Sequence, residues 1–564
     1  MGEQIDWTQF SEVEKIKYES NYLRGTLEEG LVDPVTGAIS EADTQLSKFH
    51  GIYQQHDRDL DKERKFQKLE PYFSFLIRVR LPAGVVSAKQ WLTMDRLADS
   101  HANGTLKLTT RQAFQLHGVL KHDLKSTLQA MNDTLLTTIA ACGDVTRNVM
   151  SYANPGESPL HAEVDEWAGR ISKSLTPQTT AYHEIWLEKK LLSGGQKDQE
   201  PLYGRTYLPR KFKVGLAIPP YNDVDVFSQD VGLIAIEKDN KLTGFNVTVG
   251  GGMGSTFGMP EAYPRLGKLI GFVTPDQVIE LIEQIVIIQR DNGDRLNRKQ
   301  ARLKYTIDRL GEDWFFRQLS ERITFPILKA RKFKFVDNGD RLGWVKGHDH
   351  RWNLTLYIEG GRVKDIPGQE MKSALRDVAS QTGAGFILTG NQNVVITGIQ
   401  DKNKVNEILK QHGVEPHRLS GIRRNSLACV ALNTCGLAFA EAERYLPSFL
   451  LKLEPILERN GLIDTDINLR MTGCPNGCAR PYLAEIGLIG KSPGHYNLYL
   501  GGRADGSRLN TLYRETLSEK QILDELEPII TAYAAHRDEG ERFGDFVIRK
   551  AYVNETINGK DFKH

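Results

Sequence analysis

The sequence predicts an α+β protein built as two similar halves around a pseudo-twofold, and three observations carry that expectation. A strand, helix, strand unit occurs twice, further short matches follow it in the same order, and each half closes on a long amphipathic helix with a similar start. At 564 residues the chain exceeds one hydrophobic core, since domains cluster near roughly 100 to 200 residues. Two to four modules are therefore expected.

In chain order, the first seventy residues are rich in charge and lie outside both repeats. They read as an arm that either docks a partner or wraps the chain's own core. The first unit, about 72 to 310, opens with alternation over Phe73 to Leu81, an amphipathic stretch from Ala88 to Ala98, and Leu106-Lys107-Leu108-Thr109-Thr110-Arg111-Gln112. Arg147-Asn148, Val231-Gly232-Leu233-Ile234 and Gly244-Phe245-Asn246 follow. Thr274-Pro275-Asp276-Gln277 then reads as a helix start, with a helix running to about Gly293. The second unit, about 350 to 552, answers with Trp352 to Glu359, Glu370 to Gln381 and Phe386-Ile387-Leu388-Thr389-Gly390-Asn391-Gln392. Arg424-Asn425, Ile486-Gly487-Leu488-Ile489, His495-Tyr496-Asn497 and the start Ser518-Glu519-Lys520-Gln521 keep the order, and the last helix is expected to end near Gly540. One match could be coincidence; several in order read as duplication, which places a site between the halves.

Composition excludes more than it assigns. A net charge of +1 does not suggest a globally basic, nucleic-acid-binding chain. Val278 to Ile288, the most apolar helical stretch, is broken by Glu280 and Glu283, so it cannot span a bilayer. The start, Met1-Gly2-Glu3-Gln4-Ile5-Asp6, carries no export or myristoylation signal. With few cysteines, this points to a reducing cytoplasm.

Four of the five cysteines fall in two clusters, Cys429 with Cys435 and Cys474 with Cys478. Structural zinc sites use pairs separated by two to four residues, whereas five residues lie between Cys429 and Cys435. Zinc stays open but disfavoured. The run Thr472-Gly473-Cys474-Pro475-Asn476-Gly477-Cys478 sets two thiolates on a tight turn, as an iron-sulfur cube requires. Any one cysteine could be a small buried hydrophobe; four so arranged point to a four-iron cluster. Cys142 stands alone and reads as that hydrophobe.

The first half lacks such clusters and instead brings cations: Arg78, Arg80, Arg147, Arg210, Lys211 and Lys213. Residues two apart share a strand face, so Arg78 with Arg80, and Lys211 with Lys213, can each aim at one point. Either pair alone reads as a solvated face; together, beside a cluster, they suit a small oxyanion or a polycarboxylate. His117 faces a cofactor or is a satisfied structural histidine. Gly250-Gly251-Gly252-Met253-Gly254 lacks dinucleotide-loop spacing and reads as a turn, with no NADPH site. His348-Asp349-His350 reads as an exposed loop.

The paired motif, Cys-x5-Cys then Cys-x3-Cys, resembles the signature of the sirohaem sulfite and nitrite reductases. Leu208-Pro209-Arg210-Lys211-Phe212-Lys213 and Glu19-Ser20-Asn21-Tyr22-Leu23-Arg24-Gly25 sharpen the resemblance, which runs from about residue 15 to 550. Gly436 departs from the expected proline. The resemblance implies a [4Fe-4S] cluster on Cys429, Cys435, Cys474 and Cys478, with Cys478 also the axial ligand of sirohaem iron. It implies sulfite held by Arg78, Arg147, Lys211 and Lys213, with Thr109, Arg111, Gln115, His117, Arg210, Lys304, Gln392 and Asn476 around sirohaem.

By the same resemblance, residues 1–70 are an N-terminal arm, and 71–142 and 342–418 are paired ferredoxin-like halves of one domain. The larger domains are 143–341, around sirohaem and the anion, and 419–564, around the cluster. Lys213, where nitrite reductases resemble asparagine, favours sulfite over nitrite. Electrons are expected from a flavoprotein subunit carrying FAD and FMN; a ferredoxin-fed enzyme, or a non-catalytic iron-sulfur protein without haem, are the other readings.

Overall fold

Residues 5–178, 200–415 and 419–562 are described by the structure, a computed structural model. The first half contributes β1 (Ile52–His56), β2 (Phe73–Arg78), β3 (Val85–Val86), β4 (Leu106–Leu108) and β5 (Phe114–Val119). It continues with β6 (Val214–Ala217), β7 (Val231–Lys238), β8 (Lys241–Val249) and β9 (Lys268–Val273). The second half brings β10 (Gly343–Lys346), β11 (Trp352–Leu356), β12 (Arg362–Val363), the hairpin β13 (Asp365–Ile366) and β14 (Gln369–Glu370), β15 (Gly385–Leu388) and β16 (Val394–Ile399). It ends with β17 (Ser426–Ala428), β18 (Leu469–Thr472), β19 (Ile486–Ser492), β20 (His495–Leu500) and β21 (Thr511–Ser518).

Two five-stranded sheets, β1-β2-β5-β4-β12 and β10-β11-β16-β15-β3, exchange an edge strand with each other. Val85 and Val86 of the first half pair antiparallel with Ile387 and Phe386 of the second, while Arg362 and Val363 pair with Lys107 and Leu106. Each short strand closes an edge that would otherwise expose unpaired backbone groups. Across the seam Trp91, fully buried, stacks on Phe386 at 4.3 Å and meets Phe114 edge-on at 5.4 Å.

The other two sheets are built alike: β6-β7-β8-β9, and β18-β19-β20-β21 with β17 added at its edge. In both, the first pair is parallel and the next two are antiparallel. Where β17 runs parallel to β18, the first half has two isolated parallel bridges, Thr146 to Phe212 and Met150 to Gly215. The duplication read from sequence is thus present in the order and direction of the main sheet strands, with the β13–β14 hairpin added in the second half.

Helices follow their start signals. Ser87 caps the helix Ala88–His101 with Gln90 reciprocating, and Trp91, Met94, Leu97 and Ala98 form its buried face. Its counterpart, Met371–Thr382, stops at Gly383 in the left-handed region. Thr274 with Gln277, and Ser518 with Gln521, close capping boxes before Val278–Asn292 and Glu519–His536. Glu519–His536 ends before the expected Gly540, where Arg537 turns to extended backbone at φ −69°, ψ 145°.

The N-terminal segment wraps the chain's own core. Leu23, Leu27, Leu46 and Phe49 join the main apolar cluster, and β1 is the outer strand of the first sheet. A second apolar cluster, Ile422 to Val553, underlies the cysteine segment. The expected boundary at 418/419 abuts residues 416–418, outside the described residues. Among the described residues no helix is long and apolar enough to cross a membrane.

Candidate active site

Parallel pairing of β17 with β18 brings Cys429 and Cys474 together, because each follows the carboxyl end of its strand. Gly473 N–H approaches Cys429 Sγ at 3.4 Å, and Asn476 Nδ2 approaches Cys474 Sγ at 3.5 Å. Both glycines of the turn are required. A Cβ on Gly473 would meet the Ala440 carbonyl at 2.5 Å, and Gly477, at φ +64°, would meet that of Met253 at 2.7 Å. The Cys435 segment is clamped from the N-terminal side, where Arg58 Nη1 donates to the carbonyls of Cys435 (3.1 Å) and Ala438 (2.8 Å).

Burial, then the neighbouring Cys478 charge, raises the thiol pKa of Cys429, Cys435 and Cys474, the last to about 12. Four sulfurs so close ionise together only with cationic metal among them. Among the described residues no three His, Cys, Asp or Glu side chains converge on a single ion.

Cys478 is the exposed member, and the first half comes to it. Thr110 Oγ1 donates to the Cys478 carbonyl at 2.8 Å, while Arg480 Nη1 donates to the Thr110 carbonyl at 2.7 Å. Arg78, Lys211 and Lys213 all lie within electrostatic reach of the Cys478 thiolate. Lys211 and Lys213 flank the buried Phe212, so they share a face as the strand rule requires. Burial, then Arg210, lowers Lys211 to about 7; burial, then Lys211, pushes Lys213 well below the usual lysine range. Buried Arg147 donates from Nε to the Gly143 carbonyl at 2.9 Å, and its N–H holds the Phe212 carbonyl at the same distance.

Arg78 and Arg80 do not converge, contrary to the strand reading. β2 ends at Arg78, and Arg80 instead bridges to Thr137, donating to Ser172 Oγ at 3.1 Å and the Thr146 carbonyl at 2.8 Å. Arg78 meets Gln115, whose amide oxygen accepts its Nε–H at 2.8 Å while the amide nitrogen donates to His117 Nε2 at 3.2 Å. Burial lowers the Arg78 pKa, but Cys142 and Tyr53 outweigh it and the net shift is up. Cys142 is fully buried, as expected, and lies close enough to Arg78 to act on its charge. Tyr53, with Lys48 at 5.6 Å and Arg78 at 5.7 Å from its ring, and Thr110 were missed; only the repeat register pointed to Thr110.

Thr109 Oγ1 accepts the Arg111 N–H at 3.3 Å, shaping the turn that aims Arg111. Arg111 holds Gln229 Oε1 at 2.8 Å and the Val214 carbonyl at 2.9 Å. Gln392, at the matching turn, accepts Ala428 N–H at 3.3 Å, beside Cys429. Lys304 turns its ammonium into the glycine loop, donating to the carbonyls of Gly252 (3.2 Å), Gly254 (2.7 Å) and Tyr263. That loop lies on the cysteine turn, Ser255 N–H reaching the Pro475 carbonyl at 2.9 Å, so Lys304 acts on the site through it. His348-Asp349-His350 is exposed.

A family model described as "Nitrite/Sulfite reductase ferredoxin-like half domain" matches residues 67–133, and one described as "Nitrite and sulphite reductase 4Fe-4S domain" matches 166–327. A "Sulfite reductase [NADPH] hemoprotein beta-component" of Anoxybacillus flavithermus is 57% identical, over 98% of this chain and 97% of its own. The chain belongs to the nitrite and sulphite reductase family. The Myxococcus xanthus protein of the same name is 55% identical over 96% of this chain and 97% of its own. The solved structure of Mycobacterium tuberculosis NirA shares the fold at a TM-score of 0.77, with 25% identity and 96% coverage of both chains.

The 4Fe-4S model falls on a stretch without cysteine; the four cysteines lie in the other copy. Family membership brings sirohaem and a [4Fe-4S] cluster, and the residues fit both. Arg111 Nε and His117 Nδ1 are buried with no hydrogen-bond partner among the described residues, as are the hydroxyls of Thr434 and Thr472. Burial, then Arg147, works against the Arg111 charge, and burial keeps His117 neutral.

Proposed function

We propose that this chain is the catalytic haemoprotein of an assimilatory sulfite reductase, reducing sulfite to sulfide. Its relatives are named as the hemoprotein beta-component of an NADPH enzyme, so the chain works in a hetero-oligomer. We assign its partner as a flavoprotein bringing electrons from NADPH, and its compartment as the cytoplasm. One observation carries the reading: Arg78, Lys211 and Lys213 of one copy lie within electrostatic reach of Cys478 of the other.

When bound, sirohaem coupled to the cluster supplies the sulfur-binding iron and the electrons. Cys429, Cys435, Cys474 and Cys478 would hold the cluster, and Cys478 the haem iron as well. Thr109, Arg111, Gln115, His117, Arg210, Gln392 and Asn476 would surround the haem carboxylates, with Lys304 acting through the glycine loop it holds. Sulfite gains six electrons and loses three oxygens as water, so each oxygen must be protonated before it leaves. Arg78 and Arg147 hold the anion's oxygens with forked, charge-assisted hydrogen bonds. Lys211, held near neutral pKa, gives up and regains its Nζ proton at physiological pH. Lys213, whose charge is disfavoured by burial and by Lys211, is poised to take up a proton with the incoming anion, which offsets both.

The test is an anaerobic assay of sulfide release, with NADPH plus the flavoprotein in one arm and reduced ferredoxin in the other. The expected result is turnover in the first arm and a visible spectrum of sirohaem plus cluster. Turnover with ferredoxin alone would reassign the donor. A bare cluster spectrum, with no haem extractable from fully loaded protein, would overturn the reductase.

A further inference from the structure

Three successive backbone carbonyls just before Arg210 each receive a cation from elsewhere in the chain. Arg295 Nη2 donates to the Tyr207 carbonyl at 2.8 Å, Lys17 Nζ to that of Leu208 at 2.9 Å, and Arg298 Nη1 to that of Pro209 at 3.3 Å. The next residue, Arg210, is gripped by its side chain, Nη1 lying 3.7 Å from Asp144 Oδ1. The Leu208 N–H also donates to the Asp144 carbonyl at 3.0 Å.

Two buried carboxylates organise these cations. Asp144 takes both arms of Arg298, at 2.9 and 3.1 Å, and lies 3.6 Å from Lys17. Glu14 pairs with Lys17 and Arg295. Lys17 is 0% exposed, Glu14 1% and Asp144 4%. Burying so many ions gives weak net stability; what the arrangement secures is the path of one short segment. Lys17 and Glu14 lie on the helix Glu12–Glu19, in the segment outside both repeats.

We propose that this helix positions the sulfite-binding segment: Lys17, through Asp144 and the Leu208 carbonyl, fixes the stretch Arg210 to Lys213 against the anion. The inference rests on Lys211 and Lys213 binding sulfite. Lys17 touches neither substrate nor cofactor in this account; it is a positioning residue, acting through Asp144. The N-terminal segment is then part of the substrate site, whatever else docks on it.

The experiment uses the holoenzyme of Lys17→Met, with sulfite affinity read from the spectral change on binding and from KM. The expected result is about 10- to 100-fold weaker sulfite binding, the scale of a small misplacement, with kcat at saturating sulfite nearly kept. Lys17→Arg, which restores the cation, should recover most of the affinity. Lys213→Ala is run in parallel. If it weakens sulfite while Lys17→Met does not, the positioning role is overturned alone; if neither does, the sulfite site itself falls. Should Lys17→Met fail to load, Arg298→Gln, at a side chain 25% exposed, loosens Asp144 from the other side. It is expected to raise KM without lowering kcat, and unchanged KM there would overturn the proposal.

Discussion

Lys213 shows how far a single residue can be read. Its partnership with Lys211 follows from the alternation around Phe212, which the strand period makes visible in sequence. Replacing it by alanine is expected to cost on the order of 10²-fold in kcat/KM if it acts like an oxyanion donor, and unchanged turnover and sulfite affinity would count against that. The same rule failed at Arg80, because β2 ends at Arg78 and no periodicity announces where a strand stops. Tyr53 and Cys142 were illegible for another reason: they reach Arg78 through tertiary packing from segments far apart in sequence. Gly477 belongs to the legible set. Gly477→Val adds a side chain where only hydrogen fits, so iron per chain should fall well below that of the native protein while the far-ultraviolet spectrum is kept.

Between elements, the latch around Glu443 ties the cluster segment to the exchanged strands. Its N–H donates to the Cys429 carbonyl at 3.0 Å, and its carboxylate takes Lys107 of β4 at 2.7 Å and Arg362 of β12 at 2.7 Å. Burial would raise its pKa, but Lys107 and then Arg362 outweigh it and hold it at about 2. A carboxylate depressed in the folded state adds stability above its unfolded pKa, and loses it as pH falls through the window from about 4.5 to about 2. The contribution is a few kcal/mol, to order of magnitude. Glu443→Gln should therefore be less stable at neutral pH and should show a flatter loss of stability through that window in denaturant titrations at stepped pH. If both proteins lose stability in parallel, the latch is not the acid-sensitive group. The helices Ala88–His101, Val278–Asn292, Met371–Thr382 and Glu519–His536 and the strands of the repeated segments were legible from period and start signals. The latch was not, because its three members come from three distant segments.

At the scale of the whole molecule, duplication was readable because matched segments kept their order, and so was the placing of cysteines in one copy and cations in the other. The exchange of edge strands was not, since two-residue strands carry no periodic signal. Trp91 sits at the seam between the exchanged sheets, and Trp91→Ala should cost about 3 to 5 kcal/mol, as for other large buried aromatics. Both paired halves should melt together in one calorimetric transition; a separate early transition for either would break the account of them as one cooperative unit.

The exchange also sets a timetable for synthesis. When the first half leaves the ribosome, β4 has an open edge and β3 has nothing to pair with, and both wait until Arg362 and Val363, then Phe386 and Ile387, emerge. A nascent chain halted before that point carries exposed sheet edges and uncovered apolar surface, the features that recruit chaperones and favour aggregation. The part of the molecule that brings the cations is thus made first and completed only when the second half emerges.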